Sequence, residues 1–147
     1  MKILAIAVAV ILLAAVCVAV YVRLAPVRIA AVPLVPKNAP GDYALPGGHY
    51  AVRPLETVDL AALEAEIAAT VRTRQVSCSL SDLPIVFVHR SLVWVFPDVS
   101  RVWAEADNVH FHSHLVFGKS DLGVNRERML SWFSALDLRG KAADRKG

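Results

Sequence analysis

The chain has 147 residues, 56% of them apolar, with 16 basic and 13 acidic side chains and a formal net charge of +3. That length suits one modest domain. Lys2, Arg23, Arg28 and Lys37 carry the basic excess, so residues 38–147 sum to 12 − 13 = −1, and no basic cluster there suits a nucleic-acid-binding domain.

The first element is apolar. Ile3 to Val22 gives 20 positions without a charge, enough as a helix to span roughly 30 Å, the thickness of a bilayer core. Ala25-Pro26 discourages further helix. Residues 1–24 therefore read as a single transmembrane anchor. A cleaved signal peptide is the rival, but its apolar core usually runs about 7–15 residues. Val16 before Cys17 does not suit a lipoprotein signal, and Cys17-Val18-Ala19 is a poor cleavage site. One Lys precedes the helix and three basic residues follow it, which under the positive-inside rule favours a cytoplasmic domain. A short Met-Lys start also suits the opposite orientation. The flanking charges can meet lipid headgroups.

Residues 25–48 read as a linker. Pro26, Pro33, Pro36, Pro40 and Pro46 fall within 21 residues, which favours an extended, semi-rigid chain. Val27, Ile29, Val32, Leu34 and Val35 make it too apolar for a solvated spacer. It can lie along the domain or membrane, or, as the favoured reading, form an arm on a partner subunit, with Val32, Leu34 and Val35 as the candidate contacts. Gly41 and Gly47-Gly48 supply turns into the domain.

Residues 49–140 read as an α+β domain. His49 to Arg53 is a strand ended by Pro54. Asp59 can cap a helix from Leu60 to about Thr73, with Leu60, Leu63, Ile67 and Val71 as its buried stripe. Gln75–Leu80, Ile85–Arg90, Leu92–Phe96, Val99–Glu105 and Val109–Phe117 are β-rich, with turns at Asp82-Leu83-Pro84, Pro97-Asp98 and Asp107-Asn108. Asn125 can cap a final helix that buries Met129, Leu130, Phe133 and Leu136 and ends at Gly140. The order implies a small antiparallel sheet with one face under two helices. Residues 141–147 form a polar tail. Of the two cysteines, Cys17 lies in the anchor, and Cys78 alone cannot form a disulfide within the domain. A single buried thiol is more often a small hydrophobe than a nucleophile.

The densest motif runs from Phe117 to Arg126, Phe-Gly-Lys-Ser-Asp-Leu-Gly-Val-Asn-Arg. With Ser113 upstream and Ser91 to Asp98 (Ser-Leu-Val-Trp-Val-Phe-Pro-Asp), it resembles the signature of the bacterial family known as domain of unknown function 1499. That family's pattern is about Ser-Arg-Ser-Arg-apolar-Gly-x-Ser-Asp-x-Gly-x-Asn-Arg-x-Arg. His114, Leu115 and Val116 stand where it has Arg, Ser and Arg, so any function of that basic pair is in doubt here. The resemblance implies membrane-anchored relatives, some of them accessory subunits of respiratory complex I. It implies no activity.

Physically, Gly118 and Gly123 permit unusual backbone angles, while Ser120 and Asp121 can hold turn amides. Asn125 can cap the helix and Arg126 can reach back to Asp121. Gly118, Ser120, Asp121, Gly123, Asn125 and Arg126 therefore staple a strand-to-helix joint. The alternative is an anion or ligand site at the helix start. Gly118-Lys119-Ser120 lacks the earlier Gly of a P-loop, since position 113 is Ser. Alternation puts His110, His112 and His114 on one strand face, where neighbours about 6.5–7 Å apart could share a metal. Further ligands would have to come from His89, Asp98 or Glu105. His114 at a family Arg position suggests a polar, exposed face.

No catalytic constellation and no cofactor site stand out. The favoured reading is a non-enzymatic accessory subunit of a membrane assembly such as complex I, hetero-oligomeric, contacting integral membrane subunits and lipid. Its rivals are a metal-dependent or hydrolytic envelope enzyme using the histidine strand, and a lipid- or quinone-binding module.

Overall fold

A computed structural model describes residues 1–24, 27, 39–77, 84–91 and 96–138. Helix α1, Lys2–Leu24, is long and apolar enough to cross a membrane, and its apolar side chains are almost all exposed. An uncleaved anchor and a signal sequence share that character. Val22 is the exception on this helix: it is buried, and Arg90 Nη1 reaches its carbonyl at 3.4 Å. Val27 packs on Val86, Val88 and Val99 of the sheet. The other linker contact candidates, Val32, Leu34 and Val35, lie outside the described residues, as does Cys78.

The domain is a six-stranded antiparallel sheet with two helices on one face. Its strands are β1 Gly41–Leu45, β2 Gly48–Pro54, β3 Thr73–Gln75, β4 Ile85–Arg90, β5 Pro97–Glu105 and β6 Asn108–Leu115, in the order β1-β2-β6-β5-β4-β3. A single 3-10 turn, Leu55–Thr57, leads to α2, Leu60–Ala69, and α3 is Val124–Ala135. The α+β reading is correct.

Several boundaries differ from the sequence reading. Strand β1 falls in the proline-rich stretch assigned to the linker; Tyr43 pairs with Tyr50 and Leu45 with Gly48 across the hairpin. Gly48 is required there for space, because a Cβ would lie 2.5 Å from the Ser113 carbonyl oxygen. Helix α2 stops four residues earlier than expected, and Thr73 begins a strand instead. Pro97 and Asp98 belong to β5 rather than a turn. The segments expected at 78–83 and 92–95 lie outside the described residues.

Asp59 caps α2 as expected, its carboxylate accepting from Ala61 N and Ala62 N. Leu63 and Ile67 are buried, Leu60 packs at the edge, and Val71 is exposed beyond the helix end. On α3, Met129, Trp132 and Phe133 are buried against Phe87, Val102, Val109 and Phe111. The Phe111 and Phe133 rings meet edge to face at 4.9 Å. Each such side chain contributes about 1.5–3 kcal/mol by leaving water, so the two helices are held by this one layer. Arg53 lies over Phe133 at 4.3 Å and pairs with both Asp42 oxygens, tying β1 to α3.

Candidate functional site

The signature loop was expected to staple a strand to a helix, and its atoms do so, with roles redistributed. Asp121, not Asn125, caps α3: its carboxylate accepts from Gly123 N at 3.2 Å and Asn125 N at 2.9 Å. These bonds make its pKa lower than usual, although burial alone would raise it. Gly123 stands at the cap position with φ 84°, a backbone state natural to glycine. Ser120 Oγ accepts from Leu122 N. Arg126 does not reach Asp121; it pairs with Glu127 at the surface. The sequence spacing was right, but the helix begins one residue before Asn125, which turns that side chain inward.

Asn125 is fully buried and anchors a chain of polar side chains beneath α3. Its Oδ1 faces Ser113 Oγ at 2.6 Å and Arg128 Nη1 at 2.7 Å. Arginine can only donate, so this atom is the acceptor and Ser113 must donate to it as well. Ser100 Oγ, 2.8 Å from Ser113, then donates to Ser113. His89 Nε2, 2.8 Å from Ser100, donates in turn, and His89 Nδ1 accepts from Thr73 Oγ1 at 2.7 Å. One direction runs through the chain: Thr73 to His89 to Ser100 to Ser113 to Asn125. It requires a neutral His89 carrying its proton on Nε2. Burial, with the nearby Arg128 charge, pulls the His89 pKa down to about 3, which agrees.

Arg128 also donates to Asp98 Oδ2 at 3.1 Å. Burial raises the Asp98 pKa and Arg128 acts against that rise. The His89 ring packs on Trp132, whose Nε1 donates to Thr70 Oγ1. His89, Ser100 and Ser113 resemble a nucleophile–base pair in composition, but all are buried and the group orienting the imidazole is a hydroxyl rather than a carboxylate.

The sequence reading missed His89, Ser100 and Arg128 as partners of the loop. Alternation was the available signal: His89 shares a face with Ile85 and Phe87, and Ser100 with Val102, all core-facing.

The opposite sheet face carries the three histidines. His110 and His112 are buried and His114 is half-buried, so the face is not the exposed one expected. Tyr50 Oη bonds His110 Nδ1 at 2.6 Å, and Trp103 stacks on that ring at 5.1 Å. His114 Nδ1 donates to the Leu115 carbonyl. The His112 and His114 rings are 5.8 Å apart. His89 and Asp98 sit on the helix side of the sheet and cannot complete a metal site with these residues. Among the described residues, no group of three or more His, Cys, Asp or Glu side chains converges on a metal position.

The model of the family described as "Protein of unknown function (DUF1499)" matches residues 35–136, more than half of the chain. The chain belongs to this family. No curated protein matches, and no solved structure matches. Asp98, Ser113 and the Asp121, Asn125 and Arg128 group match the signature pattern read from the sequence, in three separate stretches of the chain. The fold gathers them into one hydrogen-bonded assembly around the start of α3.

Proposed function

We propose that this DUF1499 protein is a non-enzymatic accessory subunit, anchored in the bacterial inner membrane by α1 and joined to integral membrane subunits. One observation carries the reading. Two polar groups of the family motif, Ser113 and Asn125, are fully buried and bonded to each other, and the neighbouring Ser100 and His89 that continue the chain are nearly so. A hydrolytic site would present its nucleophile and base to a substrate. A motif spent on fixing a helix to a sheet suits a rigid body that works through its surface and its anchor.

The bare, apolar α1 supports membrane attachment. The apolar side chains Val32, Leu34 and Val35 in the arm after it suit burial against a partner, with the domain on the cytoplasmic side. Respiratory complex I is the first assembly to test. The experiment is co-purification of the full chain in mild detergent, with N-terminal sequencing of the native protein. The reading requires a mature start at Met1 and stoichiometric membrane partners. Replacing Val32, Leu34 and Val35 with Ser should weaken their recovery. A mature start near Val20, or a monomer free of partners, would overturn it.

A further inference from the structure

The sheet face opposite the helices carries a row of side chains that crosses five strands in register: Tyr43, Tyr50, His112, Arg101 and Val86. Arg101 stands in this row between His112 and Val86. It is only 6% exposed, and its Nε and Nη2 are buried without a hydrogen-bond partner. Both ring nitrogens of His112, 1% exposed, are likewise without partners. A guanidinium out of water without an opposing charge is among the costliest arrangements a fold can hold. Burial pulls the Arg101 pKa down, and among the described residues no carboxylate offsets it. The next row holds His114, whose ring lies 5.8 Å from that of His112.

We propose that Arg101 and His112 bind a phosphate-class monoanion on this face. The guanidinium presents two N–H groups as a fork, which matches two phosphate oxygens, and the imidazole supplies a third donor beside it. Inorganic phosphate, unlike a phosphodiester headgroup, also carries a protonated oxygen that can donate to the remaining imidazole nitrogen. A divalent metal would meet the Arg101 charge directly, so the same histidines disfavour a cation. The location points to a source. Val86, directly across from Arg101, packs with Val88, Val99 and Val27, and Val27 lies five residues after the buried Val22 and three after the end of α1. The site therefore shares its sheet face with the valine cluster that Val27 reaches just after the apolar helix, which brings it toward phospholipid headgroups if α1 spans the membrane. The lipid source rests on that anchor reading; the anion chemistry does not.

The test uses the full chain in a phosphate-free, non-ionic detergent. Inorganic phosphate is added in one arm and phosphatidylglycerol in mixed micelles in the other, and thermal unfolding is followed in both. At a hundredfold excess over Kd, binding should raise the midpoint by about 10 °C or more. A rise with inorganic phosphate shows that the anion alone suffices. A rise with phosphatidylglycerol only assigns the site to a headgroup. Arg101→Met removes the orphan charge and keeps the stem, so it should unfold no earlier than wild type without ligand and should lose the ligand-dependent rise. If neither addition moves the wild-type midpoint, the proposal fails whether or not the variant folds. It also fails if Arg101→Met keeps the full rise.

Discussion

Asn125→Ala tests whether the motif is a buried assembly or a simple helix cap. A lost cap costs about 1 kcal/mol. The structure calls for more. The substitution deletes the acceptor shared by Ser113 and Arg128, at 2.6 and 2.7 Å. One neutral bond contributes about 1 kcal/mol and one bond to a charged donor about 1.5–2 kcal/mol. The Ser113 hydroxyl, fully buried, is then left without an acceptor, which adds about 1 kcal/mol. Asn125 Nδ2 has no partner in the native fold, so its removal returns about 1 kcal/mol. The net loss is about 3 kcal/mol, or roughly 12–24 °C in midpoint for a domain near 100 residues. Thermal unfolding of the full chain in mild detergent measures it, with Asp121→Ala as the cap-only comparison. A fall no larger than that of Asp121→Ala would refute the argument, because the cap bonds would then outweigh the buried acceptor.

Asp121→Ala itself should cost about 1 kcal/mol through two lost amide acceptors. Because the Asp121 pKa is lowered in the fold, its contribution is present above about pH 4 and is lost as pH falls through the folded pKa, which the difference between wild type and variant across an acid series should reproduce. His89 is held neutral with a pKa near 3, so the unfolded chain binds the extra proton first: stability should decline as pH falls from about 6.5 toward 3, and His89→Gln should flatten that decline in midpoint-against-pH measurements. Gly48→Ala should destabilise by about 1–3 kcal/mol, since the new methyl would sit 2.5 Å from the Ser113 carbonyl oxygen; an unchanged midpoint would mean that β2 and β6 separate freely there. Ser113→Ala and Asn125→Ala combined should lose less than the sum of the single variants, because both break the same bond, and a double-mutant cycle reads the difference directly.

Local rules accounted for the elements that local chemistry decides. The uncharged run marked α1, Asp59 marked the start of α2, and the β-rich run Ile85–Arg90 became β4 with those bounds. Strand alternation placed His110, His112 and His114 on one face, and it also carried the position of His89. The α3 start was misplaced because Asp121 and Asn125 are both good caps by type, and only the backbone turn at Gly123 selects the first.

What required the tertiary structure was which separated residues meet. Sequence spacing could not bring Asp98, Ser113 and Asn125 together, because their contacts depend on the β5-β6 register and on where α3 lies across it. It could not show that the histidines opposite the helices are largely buried, or that Arg101 Nε and Nη2 lie there without a hydrogen-bond partner among the described residues. Periodicity says which side chains share a side of a strand. What lies over that side is set by packing between elements distant in the chain, and in this protein the candidate chemistry is decided by that packing.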